Sequence, residues 1–243
     1  MRPIRRRASP LPHDFDDYRD AFTFLFSRLG GYCSYCERKI VTQLAVEHIQ
    51  PKALAKYAHL IGRWDNFLLG CVNCNSTKGD RDVNPEEVLL PDRDNTFHAF
   101  TYEMDGSLHP AASSAAVQAM AANTLALVGL DKRASQVWDE NGKLVAIDRM
   151  SQRMEAWLQA LEAKSDIESN PGNTAVRRSV VRLAEAKGFF SIWMAVFVGD
   201  IDMRNRLIDA FAGTRESNCF DAVTTEPISP SPNLDALPHG GKK

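Results

Sequence analysis

The stretch LAVEHIQPK, residues 44–52, places a glutamate and a histidine side by side at the end of an apolar run. Its apolar and β-branched residues are typical of a strand, and Pro51, three residues after His48, ends that pattern. Two segments with the pattern C-x-x-C, residues 33–36 and 71–74, lie on either side of it. An ionisable pair between two such segments indicates that this region is built around chemistry rather than around packing alone.

The four paired cysteines predict a metal site. Zn²⁺ prefers four soft ligands in a tetrahedron, and each C-x-x-C turn can supply two thiolates. A thiol redox motif needs one pair, so two matched pairs, separated by 34 residues, argue against it. We therefore predict a structural zinc ion bound by Cys33, Cys36, Cys71 and Cys74, which would stabilise a small region with little core of its own. Cys219 has no partner in this pattern and is expected to be a small buried side chain.

The composition is that of an ordinary soluble globular protein, with 44% apolar and 25% charged residues in 243. The longest strongly apolar stretch, residues 189–198, has ten residues, whereas a bilayer needs about 20. The basic N-terminus is not followed by an apolar segment, so we expect no secretory signal and no membrane contact. The expected location is the cytoplasm, where reduced thiols favour metal binding over disulfides.

Charge is distributed unevenly, although the formal net charge is only −2. Residues 1–80 contain 12 Lys and Arg against 8 Asp and Glu, while residues 81–243 contain 17 against 23. A positive N-terminal third suits a polyanion, because phosphate contacts supply most non-specific affinity for nucleic acid. Four arginines near the start are expected either to form an arm along that backbone or to lie in a solvated, disordered terminus: Arg2, Arg5, Arg6 and Arg7.

The pattern of elements predicts an α+β protein of three parts. Residues 1–95 would hold an N-terminal helix and the zinc-braced region. Residues 96–222 would hold a hairpin, with Asp105-Gly106 at its turn, and then mostly helices with apolar residues at intervals of three and four. Residues 223–243, rich in Pro, Ser and Gly, are predicted to be a disordered tail.

Residues 189–198 are expected to form a core helix of the second half. Their aromatic side chains are those that bury the most area: Phe189, Phe190, Trp193 and Phe197. If these side chains prove to be exposed, a protein interface becomes the better interpretation.

The glutamate–histidine pair has the residue types of a hydrolytic site. An imidazole with a pKa of about 6.5 can accept a proton from water near neutral pH, and a carboxylate is a suitable oxygen ligand for Mg²⁺. Neighbouring residues on a strand point to opposite faces, so Glu47 and His48 can share one site only if the strand end bends, as Pro51 suggests. Taken singly, His48 would more often be a structural histidine and Glu47 a solvated side chain.

Three further polar residues accompany this pair. Asn75 directly follows Cys74, and its amide oxygen could complete the site of a hard cation. Lys78 could face the same cleft and neutralise phosphate, and Asn66 could hold the histidine loop by hydrogen bonds to backbone. His59 is expected on a helix surface or in packing.

Taken together, these motifs resemble the HNH endonucleases, which have a ββα-metal core, here of the kind braced by a four-cysteine zinc. The matching order is C-x-x-C, then E-H-I-x-P, an Asn before an apolar return strand, and C-x-x-C-N-x-x-K, over residues 32 to about 82. Two positions depart from the common pattern. Glu47 stands where many members have Asp, and Asn75 stands where many have His, which leaves the preferred metal open.

The resemblance implies a role for each polar residue. His48 would be the general base that activates water, and Glu47 and Asn75 would hold one Mg²⁺ or Mn²⁺ ion. Asn66 would support the loop that carries His48, and Lys78 would contact phosphate. Members of this family hydrolyse phosphodiester bonds and leave 5′-phosphate and 3′-hydroxyl ends, so we expect nuclease activity on DNA more than on RNA.

Residues 31–40, 44–52 and 66–80 also resemble, less strongly, the Septu-type nuclease subunits of bacterial anti-phage systems, which pair with an AAA/ABC-class ATPase. The helical second half would then be a docking surface for that ATPase.

No helix-turn-helix pattern is present to read base edges, so low sequence specificity is expected. The alternative is a zinc-ribbon module that binds nucleic acid or protein without cutting.

Overall fold

The chain enters its core through a short helix that buries one face. In the computed structural model, which describes residues 1–132, 137–138, 144–145 and 149–243, helix α1 spans Ala21–Leu29 and follows a 3-10 turn at Tyr18–Asp20. Residues four apart lie on the same face of a helix, and the buried side chains of α1 have that spacing: Ala21, Leu25 and Leu29. Gly30 ends the helix with a φ of 74°, a conformation that glycine adopts without strain.

An antiparallel hairpin followed by a helix forms the centre of the N-terminal half. Strand β1 (Leu44–His48) pairs with β2 (Phe67–Cys71), and helix α2 (Val72–Lys78) continues directly from β2. The register places His48 opposite Phe67 and Glu47 opposite Leu68. All of β2 is buried, whereas β1 is buried only in its second half, towards His48. The predicted ββα core is confirmed.

The second half begins with the predicted hairpin. Strands β3 (Phe100–Tyr102) and β4 (Leu108–Pro110) pair antiparallel around Gly106, whose φ is 81°. Helix α3 (Ala115–Val128) begins where the Ser114 hydroxyl accepts a hydrogen bond from the Val117 N–H. It ends at Gly129 in the left-handed conformation.

Four further helices form the C-terminal core. They are α4 (Arg149–Ser169), α5 (Thr174–Lys187), α6 (Phe190–Val196) and α7 (Ile201–Ala210), and a short pairing of β5 (Val137–Trp138) with β6 (Leu144–Val145) precedes them. Helix α6 packs against α4, α5 and α7. The aromatic side chains predicted for the core are all buried, which excludes an exposed interface there: Phe189, Phe190, Trp193 and Phe197. The mostly helical second half is therefore confirmed for the described residues.

The two halves meet at the turn that carries the first cysteine pair. The Glu37 carbonyl accepts a hydrogen bond from the Phe189 N–H at 2.9 Å. The Glu37 carboxylate accepts two more from Ser191, at 2.8 Å from its N–H and 2.6 Å from its hydroxyl. Because Glu37 is buried, these bonds are shielded from water and join the start of α6 to the cysteine turn.

The N-terminal arginines differ from both expectations, since two of them are buried. The Arg6 guanidinium donates to the carbonyls of Trp64 and Phe67, both at 2.6 Å, and pairs with Asp92 at 2.7 Å. Arg2 is also buried and donates to the Leu29 carbonyl at 2.7 Å. These contacts hold the N-terminus against the core, so neither an arm along nucleic acid nor a disordered terminus matches the structure.

Residues 223–243 also differ from the predicted disordered tail. The Lys243 carbonyl accepts hydrogen bonds from the N–H groups of Asn95 and Ser231, at 2.9 and 2.8 Å. The Lys242 N–H donates to the Asp94 carboxylate at 2.9 Å. Backbone and side-chain groups of a buried polar segment, residues 92–96, therefore help to order residues 223–243, whose composition has few apolar residues for a core. None of the helices in the described ranges is long and apolar enough to cross a membrane.

Replacing Arg6 by alanine should destabilise the fold strongly. The change removes one partner of a buried ion pair and leaves buried carbonyls without a donor, at a cost of about 3–5 kcal/mol in the free energy of unfolding. Urea denaturation measures the loss. Arg7→Ala is the matched control, because the Arg7 side chain is 55% exposed and its removal should change stability by about 0.5 kcal/mol or less. Equal stability of the two variants, with weaker nucleic-acid binding for Arg6→Ala, would instead support the arm.

Candidate active site and zinc centre

The four cysteines of the two C-x-x-C turns lie together in the core. Their sulfur atoms are all within 4.8 Å of one another, and all four side chains are buried. The Sγ atoms of Cys36 and Cys71 are 3.7 Å apart, and none of the four is in a disulfide. Tetrahedral zinc with Zn–S bonds of about 2.3 Å places its sulfur ligands about 3.8 Å apart. The cluster therefore fits the predicted structural zinc ion.

Two arginines donate to sulfur atoms of this cluster. Arg38 lies 3.3 Å from the Cys71 Sγ, and Arg149, the first residue of α4, lies 3.2 Å from the Cys74 Sγ. Arg149 also donates to the carbonyls of Val128 and Gly129, at 2.7 and 2.6 Å. Four thiolates around Zn²⁺ carry a net negative charge, so cationic donors in the next layer stabilise them. Arg149 thereby links the cluster to the end of α3 and the start of α4.

Four of the five residues predicted for the site border one open cleft with a volume of about 850 Å³, whereas Asn66 does not line it. Glu47 and His48, at the end of β1, line it together with Asn75 from α2. Glu47 and His48 are neighbours on a regularly paired strand, and both border this cleft. Both are buried, whereas Asn75 is exposed.

His48 is held in one tautomer by backbone. Its Nε2 lies 3.0 Å from the Ile61 carbonyl oxygen. A carbonyl can only accept, so Nε2 carries the hydrogen, and the lone pair of the neutral ring is on Nδ1. The ring edge also packs against Tyr18 and Phe67, with ring centres 4.8 and 5.1 Å apart. Burial lowers the pKa of His48, and the hydrogen bond to Ile61 opposes this shift in part. The pKa is lowered overall, so the neutral ring is favoured at pH 7.

Lys78 borders the cleft, and its ammonium is engaged by neighbouring groups of β1. Its ammonium lies 3.0 Å from Glu47 Oε1 and donates to the His48 carbonyl at 2.7 Å. The side chain is only 2% exposed, so although Lys78 borders the cleft, its charge is directed to Glu47 rather than to a phosphate. Burial raises the pKa of Glu47, and the Lys78 charge opposes that shift and favours the carboxylate.

The side chains of Glu47 and Asn75 leave neighbouring elements on one side of β2. Both side chains lie close to Gly70 of β2. If residue 70 had a Cβ atom, this atom would be 2.9 Å from the Glu47 Cβ and 3.9 Å from the Asn75 Cβ. Glu47 and Asn75 therefore leave β1 and α2 on the same side of β2. Among the described residues, Glu47 Oε1 is buried without accepting a hydrogen bond, although it is within ion-pair distance of Lys78. Carboxylate and amide oxygens are the ligand types that Mg²⁺ or Mn²⁺ prefers.

Asn66 braces the loop that follows His48. Its side-chain oxygen accepts from the Gln50 N–H at 2.8 Å, and its side-chain nitrogen donates to the Gln50 carbonyl at 3.0 Å. Its own carbonyl accepts from the Ile49 N–H at 2.8 Å. These bonds support the structural role expected for Asn66, since they fix the chain directly after the imidazole.

Sequence reasoning missed three groups that orient the site. Tyr18 packs against the imidazole, the Ile61 carbonyl sets its tautomer, and Arg149 donates to the cysteine cluster. Tyr18 belongs to an apolar helical pattern that indicates burial only. A backbone carbonyl has no signature in sequence, and Arg149 lies 75 residues from its sulfur partner.

Comparison with known proteins agrees with this geometry. Residues 33–81 match the HNH endonuclease family and form an HNH domain. The Septu protein PtuB of Bacillus thuringiensis is a relative that is 34% identical over 88 residues, which cover 34% of each chain. The matched part of this chain thus spans about a third of the length of that relative. The resemblance to HNH endonucleases, and to the Septu-type members among them, is confirmed.

Removing one cysteine of the cluster should release the zinc ion. Cys36→Ala leaves three ligands, so we expect bound zinc to fall from about one ion per chain to nearly none and the thermal midpoint to fall with it. Metal analysis and circular dichroism measure these changes. Cys219→Ala is the control, because Cys219 is buried but lies outside the cluster, so zinc should stay bound. Full zinc content in a Cys36→Ala, Cys71→Ala double variant would contradict the assignment.

Proposed function

We propose that this protein is a divalent-metal-dependent endonuclease that hydrolyses phosphodiester bonds in nucleic acid, DNA more readily than RNA. The observation that carries the proposal is the orientation of His48. Its Nε2 is engaged by the Ile61 carbonyl, so Nδ1 has the lone pair, in a cleft that Glu47 and Asn75 also line. A neutral imidazole next to oxygen ligands is the arrangement expected for metal-assisted attack of water on a phosphodiester.

The chain's own groups account for the proton transfers. His48 Nδ1 takes a proton from water, the water oxygen bonds to phosphorus, and the bond from phosphorus to the 3′ oxygen breaks. The released 3′ oxygen takes a proton from solvent, which leaves 3′-hydroxyl and 5′-phosphate ends. Glu47 and Asn75 would hold Mg²⁺ or Mn²⁺, which supplies charge stabilisation for the phosphoryl and leaving oxygens. Lys78 keeps Glu47 ionised, and Asn66 keeps the His48 loop in place.

A zinc-ribbon module that binds without cutting is the alternative. Such a module needs the four cysteines but has no use for an oriented imidazole beside a buried carboxylate. The hydrogen bond from His48 to Ile61 and the buried pair of Glu47 with Lys78 therefore favour the enzyme.

We also propose a role in anti-phage defence in the cytoplasm, supported by the similarity to the Septu protein PtuB. The proposed protein partner is an AAA/ABC-class ATPase that docks on the helical half. Exposed leucines on α4 and α5 support a docking surface there: Leu158, Leu161 and Leu183.

Replacing His48 by alanine should abolish most cleavage without loss of zinc. A general base contributes about 10²–10⁴-fold to rate, so the variant should be slower by that factor. The assay follows plasmid and labelled oligonucleotides with Mg²⁺ or Mn²⁺, and EDTA should stop the reaction reversibly. His59→Ala is the matched control, because His59 is an exposed histidine in the 3-10 segment Ala55–Leu60 and should retain the wild-type rate.

Two outcomes would count against this assignment. Undiminished cleavage by folded, zinc-loaded His48→Ala would show that His48 is not the base. A wild-type protein that binds nucleic acid but does not cleave, by itself or with the proposed ATPase, would support the zinc-ribbon alternative.

A further inference from the structure

The cleft continues past the proposed catalytic residues onto an apolar wall. Tyr18 and Phe22, from the first helical segment, line it beside Val72 at the start of α2. Tyr18 and Phe22 lie outside residues 33–81. We propose that this wall is a subsite for an unpaired nucleobase next to the scissile phosphate, so that the protein acts on single-stranded or locally unpaired nucleic acid. This inference rests on the proposed function.

The chemistry of the wall differs from what a phosphate backbone needs. Contacts to phosphate and sugar come from cationic side chains and hydrogen-bond donors, whereas Phe22 is half-buried and Val72 is 56% exposed on this surface. The faces of bases stack favourably on aromatic side chains. In a duplex those faces are covered by neighbouring base pairs, so only an unstacked base can reach such a wall. The cleft volume of about 850 Å³ lies within the range of small-ligand sites.

Tyr18 and Lys52 connect the wall to the general base. The Lys52 ammonium lies 3.9 Å from the centre of the Tyr18 ring and donates to its hydroxyl at 2.6 Å. The Tyr18 ring in turn packs edge-on against His48. A cation suited to phosphate is therefore next to an aromatic ring that contacts the proposed base, and Phe22 follows Tyr18 four residues along the chain. This combination favours a nucleotide over an apolar peptide as the occupant.

Binding to defined oligonucleotides tests the subsite without cleavage. The full chain carrying His48→Ala is titrated, with Mg²⁺ present, into labelled strands of about 12 nucleotides, within the usual range of single-strand site sizes. The four probes are single-stranded DNA, single-stranded RNA, a DNA duplex, and a DNA strand whose sugars lack bases but keep every phosphate. One stacked base is worth about 1–3 kcal/mol, so normal single strands should bind at least about fivefold more tightly than the duplex or the abasic strand.

Variants of the wall separate base contacts from charge. Phe22→Leu keeps apolar bulk but removes the ring, so affinity for the normal strand should fall at least about fivefold, with little change for the abasic strand. Lys52→Ala should weaken binding of both the normal and the abasic strand. It should also reduce the slope of log affinity against log salt concentration by about one. Phe24→Ala is the matched control, since Phe24 is a partly exposed aromatic of α1 that does not line the cleft. The DNA and RNA probes show which nucleic acid supplies the base.

Equal affinity for normal and abasic strands, or full affinity in Phe22→Leu, would overturn the subsite. Cleavage of the same probes by the wild-type chain separates this inference from the proposed function. Cleavage of duplex and single strand at equal rates would overturn the subsite and leave the nuclease intact. Base-dependent binding with no cleavage would support the subsite and count against the nuclease.

Discussion

The cluster of four thiols is the interaction on which the rest of the structure depends. It joins the turn at residues 33–36 to the junction of β2 and α2, two segments that are distant in the chain. Cys71 ends β2 and Cys74 lies in α2, so a metal held there fixes the angle between strand and helix. Asn75 follows Cys74 directly, so the cluster helps to set its position relative to Glu47, together with the apolar core in which the four cysteines lie.

The same cluster also holds the helical half. Arg149 at the start of α4 donates to Cys74, and Glu37, directly after Cys36, binds the start of α6 through Phe189 and Ser191. The helices thus contact the HNH domain through polar bonds, which are directional, as well as through apolar packing. Loss of the metal would therefore weaken the contacts of α4 and α6, although neither helix supplies a ligand.

Burial of polar groups defines the chemistry of the cleft. His48, Glu47 and Lys78 are all removed from water, so each needs a partner to offset its desolvation. The partners that the fold supplies are the Ile61 carbonyl for the imidazole and the opposite charges of Glu47 and Lys78 for each other. The lowered pKa of His48 favours a neutral ring, and the Lys78 charge opposes the burial that raises the pKa of Glu47.

Local patterns in the sequence were sufficient for the cysteine cluster, because residue type and short spacing decide a ligand set. The ββα core was implied by the resemblance to HNH endonucleases, which rests on the same motifs. The burial of Arg6, the order of residues 223–243 and the partner of Lys78 were not predictable in that way. From sequence alone, arginine and lysine are expected to be solvated, and a stretch rich in Pro and Ser is expected to be disordered. These expectations change only when hydrogen-bond acceptors are known to lie nearby. Those acceptors are backbone carbonyls and carboxylates from distant segments, such as Asp92 for Arg6, and only the tertiary structure brings them together.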